Sequence, residues 1–252
     1  MKGIFRSRLV GVLLIFAILL VWEFVTRAGI IRSPSLPPPS TIFVTWYQLI
    51  VSGEIFRQLG PSLLRLGVGY FWAVIVGTTL GLLMGYFRPV YNLFEPLTEL
   101  VRPIPSPAYI PLAILFLGLG NEMKYFVIFF ACLFPILLNT QSGVRAIDPV
   151  QINTGRTFGL SRAQIVRKII LPGSLPAILT GMRISLGIAL IVVVVSEMVA
   201  SNNGIGYFIL NAQRFFNVPE MFAGIFSLAL VGYALNALFV LIEARILRWR
   251  PR

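Results

Sequence analysis

Six apolar runs constrain this chain more than any other feature: Leu9–Val25, Leu63–Tyr86, Pro107–Leu119, Tyr125–Leu138, Ala177–Ala200 and Met221–Ile242. About 20 apolar residues in a helix match a hydrocarbon layer about 30 Å thick. In lipid every backbone N–H and C=O must be satisfied within the protein, which favours helices for runs of this kind. Of the 252 residues, 57% are hydrophobic and 12% are charged. A soluble domain cannot hide that apolar excess. The expected fold is an all-α membrane protein with six transmembrane helices, a single domain over residues 1–252.

The third and fourth runs are short. A helix over Pro107–Leu119 would cover only about 20 Å. Pro103, Pro105, Pro107 and Pro111 crowd its entrance, and Pro135 interrupts the next run. Short, proline-broken segments persist at membrane depth where protein or a water-filled cavity surrounds them, which points to a transporter interior. Pro111 is therefore a candidate pathway residue. In the second run, Gly77, Gly81 and Gly85 recur every four residues and form a face that another helix backbone can approach closely. After the first run, Ser33–Ile50 combines turn residues with a helix expected from Ser40, which can cap it.

The basic residues orient the chain. With the N-terminus inside, the inner segments hold fourteen Lys and Arg and the outer segments six, with Arg183 at the inner edge of the fifth run. This bias predicts both termini in the cytoplasm. The basic N-terminus followed by Leu9–Val25 reads as a retained anchor, since no small-residue cleavage site follows. The net charge of +12 is spread over the segments between and beyond the runs, so it signals topology and not nucleic-acid binding. The chain has no histidine and one cysteine, Cys132, inside an apolar run. His-based triads, His metal sites and an internal disulfide are excluded together. Neither a catalytic residue nor a metal site is expected. No G-x-x-x-x-G-K-[ST] phosphate loop occurs, so ATP is not expected on this chain.

The most informative loop lies between the fourth and fifth runs, residues 143–172. Asp148-Pro149 can start a short helix running to about Phe158, and Gly159 can stop it with a positive φ. Ser161 and Gln164 form a capping box for a second helix, "RAQIVRKII", expected to end at Leu171-Pro172. The loop thus encodes a basic helix–glycine–helix knob suited to docking another protein.

The spacing Gly159, nine residues, Ile169, one residue, Leu171-Pro172 resembles the cytoplasmic "EAA" loop of ABC importer permeases. In place of the family's Glu-Ala-Ala the chain has Asn153-Thr154-Gly155. "PSLLRLGVGY", "VRPIPSPAYIPLAILFLGLGNEMK", "FPILLNTQSGVRAIDP" and "SEMVASNNGIGYFI" extend the resemblance to the nitrate/sulfonate/taurine branch. The resemblance implies a type I importer permease fold with cytoplasmic coupling helices. It also implies a second permease copy, two cytoplasmic ATP-binding subunits that carry ATP and Mg, and an external solute-binding protein. On that basis Asn153, Thr154, Gly155, Phe158, Gly159, Leu160, Ser161 and Arg162 are the expected ATPase-coupling residues.

Three further residues are candidates for the pathway or its gate. Glu197, near the outer end of the fifth run, is a costly intramembrane carboxylate that can line the pathway, hold a gate closed or pair with a basic residue of another helix. Repulsion of an anionic cargo favours a structural or gating role. Arg183 either snorkels to the cytoplasmic surface or attracts a departing anion. Asn139 either lines the inner exit or ends its helix. The expected function is a non-enzymatic importer permease of the bacterial inner membrane for a small oxyanion such as nitrate, a sulfonate or taurine. Vitamin precursors or aromatic acids remain alternative cargoes. A secondary transporter is disfavoured by the scarcity of mid-bilayer ionisable groups, and an enzyme by the lack of paired acid and base.

Overall fold

The computed structural model describes residues 2–31 and 33–249, and only the backbone of residues 2–9. Of the basic residues counted above, Arg32, Arg250 and Arg252 lie outside the described residues, and the side chains of Lys2, Arg6 and Arg8 do too. All regular elements among the described residues are helical. They are α1 (Lys2–Arg27), α2 (Pro39–Val51), α3 (Glu54–Tyr86), α4 (Arg88–Val101), α5 (Ile110–Leu117), α6 (Asn121–Arg145), α7 (Pro149–Thr157), α8 (Arg162–Ile165), α9 (Leu171–Ala200), α10 (Ile205–Arg214) and α11 (Val218–Ile246). Five stretches are long and apolar enough to cross a membrane. A sixth arises if α4 and the segment Ser106–Leu117, which meet at 90°, make one bent crossing.

The helices extend well past the apolar runs that announce them. α3 begins nine residues before Leu63 and continues through Pro61, and α6 runs for 25 residues through Pro135. The expected interruption at Pro135 does not occur. A helix-breaking proline is tolerated where neighbouring helices surround the freed backbone, and α6 is packed by α3 on one side and α9 on the other. Ser40 does not cap α2. The helix begins one residue earlier at Pro39, and the carboxylate of Glu23 on α1 accepts both the N–H and the hydroxyl proton of Ser40, at 2.9 and 2.8 Å. Glu23 therefore fastens α2 to α1.

The glycine face of α3 packs on α6. A Cβ on Gly81 would lie 2.6 Å from Thr140 Cβ and 2.7 Å from the Leu137 carbonyl, and one on Gly85 2.5 Å from Val144 Cβ. Gly69 meets Ile128 and Gly77 meets Ile136 in the same way, so partners on the two helices advance together and the helices run parallel. Parallel neighbours need a return crossing between them. Residues 87–120 supply it, which explains why a short, bent α4–α5 segment counts as a span. α9 runs antiparallel to α6: the Ser185 hydroxyl donates to the Cys132 carbonyl at 2.9 Å, and Gly143 faces Ala177 further along. The buried core follows these contacts, with Ala73, Val127, Ile128, Cys132, Ile136 and Ala189 at its centre.

Candidate functional site

At one end of the bundle α7 and α8 form a compact knob. Asp148 accepts the Val150 N–H at 2.8 Å and caps α7, with Pro149 in the first turn. The helix ends in a two-bond αL cap: the Gly159 N–H donates to the Arg156 carbonyl at 2.9 Å and the Leu160 N–H to the Gly155 carbonyl at 3.0 Å. Gly159 has φ 75°, the left-handed conformation that glycine adopts without cost. Ser161 and Gln164 make the capping box for α8. Phe158, at the tip, is 81% exposed. Asn153, Thr154, Ser161 and Arg162 are exposed around it.

Gly155 stands inside this knob. A Cβ there would meet Ile169 Cδ1 at 2.7 Å and Leu160 Cδ1 at 3.4 Å. The missing side chain lets α7 lie against the start of the fifth span through the small cluster of Val144, Ile147, Ile165 and Ile170. The second knob helix does not end at Leu171-Pro172 as expected. α8 passes through a wider turn, Val166–Ile170, in which the Leu171 N–H reaches back five residues to the Val166 carbonyl. That π register accommodates a proline whose ring would clash with the carbonyl four residues earlier in an α-helix. The knob is thus continuous with α9, and Arg162–Ala200 forms one helical stretch of 39 residues. A cleft of about 790 Å³ beside it is bordered by Thr154, Lys168, Pro172, Pro176 and Trp249.

Glu197 sits at the opposite end of α9 with no accessible surface. Its carboxylate pairs with Arg65 Nη1 at 2.7 Å, and accepts from the Ser62 hydroxyl at 2.8 Å and the Gly206 N–H at 2.9 Å. The pairing reading, left open in the sequence beside pathway lining, is the one the geometry favours. Arg65 reaches further, donating Nε to Asn121 Oδ1 at 2.9 Å, Nη1 to the Asn203 carbonyl at 3.1 Å and Nη2 to Asn203 Oδ1. Gln58 Oε1 accepts the Gly204 N–H at 2.9 Å, and Ser62 Oγ accepts that of Ile205 at 2.8 Å. Side chains from α3 and α9 thereby satisfy the N–H groups that open α10, and the positive end of its dipole faces the carboxylate. A buried pair with this many hydrogen bonds is costly to break from one side, about 3–5 kcal/mol.

Arg183 and Asn139 stand elsewhere. Arg183 is half-exposed and lies 3.9 Å from Glu243 on α11, with Nε donating to Asn236 Oδ1 at 3.2 Å. Asn139 bonds to the Pro135 carbonyl of its own helix at 2.8 Å and touches α9 at Gly181. Pro111 is exposed in the first turn of α5. The four candidates therefore do not meet in one site. Two cations escaped the sequence reading because they were counted as outer topology charges. Arg65 is one. The other, Lys124, is buried and donates Nζ to the carbonyls of Leu119 and Gly120 at 3.2 and 3.0 Å, holding the end of the bent crossing. For Lys124 the signal was present: it directly precedes the fourth apolar run, where a cation with no water needs a partner.

Comparison with known proteins agrees with this architecture. Residues 77–248 match the family described as "Binding-protein-dependent transport system inner membrane component". The putative aliphatic sulfonates transport permease protein of Bacillus subtilis is 35% identical, over 95% of this chain and 87% of the relative. The taurine transport system permease protein of Escherichia coli is 32% identical over 92% and 86%, and the nitrate import permease protein of Leptolyngbya laminosa 34% over 76% and 69%. Among solved structures, a chain of the MetNI methionine ABC transporter in an inward-facing conformation superposes with a TM-score of 0.64 at 22% identity, over 78% of this chain and 96% of that one. The chain has the type I ABC importer permease fold. It belongs to the family of binding-protein-dependent transport system inner membrane components, in the branch that contains the sulfonate, taurine and nitrate permeases.

Proposed function

We propose that the chain is the membrane-spanning subunit of an ATP-driven, binding-protein-dependent importer of a small oxyanion: a sulfonate, taurine or nitrate. It works as a pair of copies in the bacterial inner membrane with both termini cytoplasmic, and it performs no chemistry. Two separate cytoplasmic subunits bind ATP and Mg and grip the knob through Asn153, Thr154, Gly155, Phe158, Gly159, Leu160, Ser161 and Arg162. An external binding protein delivers the anion to the end of the bundle where Glu197 lies. Closure of the motor pushes the knob, and α9, continuous with it, carries the push across the membrane. Pro111, Asn139 and Arg183 contribute to the pathway, and Glu197 holds the far end of α9 to α3 and α10 so that the bundle moves as a body. The observation that carries this reading is the exposed Phe158 on a doubly capped turn that is continuous with a span.

The test is uptake by proteoliposomes holding this chain, its ATPase and its binding protein. Accumulation of labelled taurine, an alkanesulfonate or nitrate that requires internal ATP and survives collapse of the proton gradient supports the reading. Uptake that follows the proton gradient without ATP contradicts it.

A further inference from the structure

A cleft of about 590 Å³ opens at the 90° break between α4 and Ser106–Leu117. Arg102, Pro105 and Tyr109 border it from the break, Phe130 and Phe134 from α6, and Ile188 from α9. Phe130 and Phe134 stand one turn apart in the middle of α6, nine residues after Asn121 and eleven before Arg145. At 1.5 Å per residue the cleft is about 13 Å or more from either end of that helix. The Tyr109 ring packs against Phe130 with centroids 5.2 Å apart, and its hydroxyl donates to the Val101 carbonyl across the break at 3.2 Å. Irregular backbone at membrane depth persists where it is buried in protein or lines a cavity. Pro103, Ile104 and Pro105 are exposed, and it is this cleft that they line.

The lining identifies the class of ligand. Sites for small organic molecules have volumes of about 300–1,000 Å³, with mostly apolar and aromatic walls and a few polar groups that fix orientation. Nitrate has no apolar surface and gains nothing from Phe130, Phe134 and Ile188. No acidic side chain borders the cleft among the described residues, so the ammonium of taurine has no counter-ion in its lining. The one cation that borders it is Arg102. Arg102 pairs through Nη2 with Glu99, one turn back on α4, at 2.9 Å, and both side chains are about half exposed. A pair this open is weak, and it leaves the rest of the guanidinium fork to an oxyanion. We propose that this cleft binds the solute on its way across, and that the solute is a sulfonate with an apolar carbon skeleton. The sulfonate oxygens lie at Arg102 and the skeleton lies against Tyr109, Phe130, Phe134 and Ile188. The inference rests on the importer reading above and narrows its cargo.

The experiment is scintillation-proximity binding of radiolabelled hexanesulfonate to the full chain in nanodiscs, without ATPase or binding protein, so that this chain alone selects. Unlabelled hexanesulfonate, methanesulfonate, taurine and nitrate compete. A buried methylene is worth about fourfold in affinity, so hexanesulfonate should compete about tenfold or more better than methanesulfonate. Taurine and nitrate should do no better than methanesulfonate. Arg102→Gln should weaken hexanesulfonate and methanesulfonate by the same factor, about tenfold. Phe134→Ala should weaken hexanesulfonate and leave methanesulfonate unchanged. Arg245→Gln, at the end of α11, should change neither. A wild-type chain without saturable binding, or one for which nitrate competes as well as hexanesulfonate, overturns the site whatever the variants do. So does a disulfide between copies through F134C, in a chain that also carries Cys132→Ser, because a second copy would then fill the cleft. ATP-dependent uptake that persists at the wild-type rate in Arg102→Gln and Phe134→Ala removes this site and leaves the importer reading standing. Saturable binding with no ATP-dependent uptake by the reconstituted complex keeps the site and sinks that reading.

Discussion

At the scale of single residues, Glu197 and Arg65 carry the clearest consequence. A carboxylate with no accessible surface is stable only because Arg65, Ser62 and Gly206 all donate to it. Glu197→Ala leaves Arg65 buried and uncompensated, and should lower the unfolding free energy of the purified chain by about 3–5 kcal/mol, read as a fall in thermal midpoint in detergent. The double variant Arg65→Leu/Glu197→Leu should recover much of that loss, since an apolar pair of similar volume avoids the stranded charge. A double variant no better than the single one would show that the α10 N–H groups, and not the ion pair, dominate. Gly81→Ala gives a second test. Its methyl would fall 2.7 Å from the Leu137 carbonyl, a backbone atom that cannot rotate away. The parallel helices must separate, with a loss of about 1–3 kcal/mol by the same measurement. The importance of Gly81 was readable from the four-residue glycine spacing alone. That of Arg65 was not: the apolar run starts at Leu63, so Arg65 looked like a residue at a helix end, and only the extension of α3 back to Glu54 places it inside.

Elements were legible where local chemistry decides them and misjudged where packing does. The caps at Asp148, Gly159 and Ser161 lie where the sequence puts them, because each is a short-range bond between a side chain or turn and its own backbone. The prolines misled. Pro135 and Pro172 look like helix breakers in isolation, yet the close neighbours of α6 and the wide turn of Val166–Ile170 accommodate them. Phe216 escaped notice altogether. It takes φ 55° at the end of α10, where the Asn217 N–H bonds to the Ala212 carbonyl in the manner of a glycine cap. The element-scale prediction concerns Pro172. Replacing it with alanine removes the reason for the wide turn and allows an α register, which would rotate the knob relative to α9. Pro172→Ala should fold normally and still bind the ATPase, but ATP hydrolysis by the reconstituted complex should no longer respond to the liganded binding protein. Retained stimulation would show that the wide turn has no part in transmission.

For the whole molecule, five membrane-length helices, the bent α4–α5 pair and a knob continuous with α9 make up the bundle. The far end of that helix is tied to α3 and α10 by the Glu197 cluster. Five of the six apolar runs correspond to membrane-length helices, and the third run becomes part of the bent α4–α5 pair. The parallel pairing of α3 with α6 was not legible, because it depends on how glycines meet side chains 59 positions away, as Gly81 meets Thr140. The central claim is that a separate ATP-hydrolysing subunit grips the knob. Gly159 has open space where a Cβ would project, so Gly159→Val strains only the turn, at a cost of about 1–2 kcal/mol. Phe158→Asp changes an exposed side chain and should leave the fold intact. The most direct measurement is co-purification of the ATPase with wild-type chain, Phe158→Asp and Gly159→Val, each inserted in the membrane at equal amounts. The account predicts a stable complex for the wild type and little or no ATPase retained by either variant; full retention by both would contradict it.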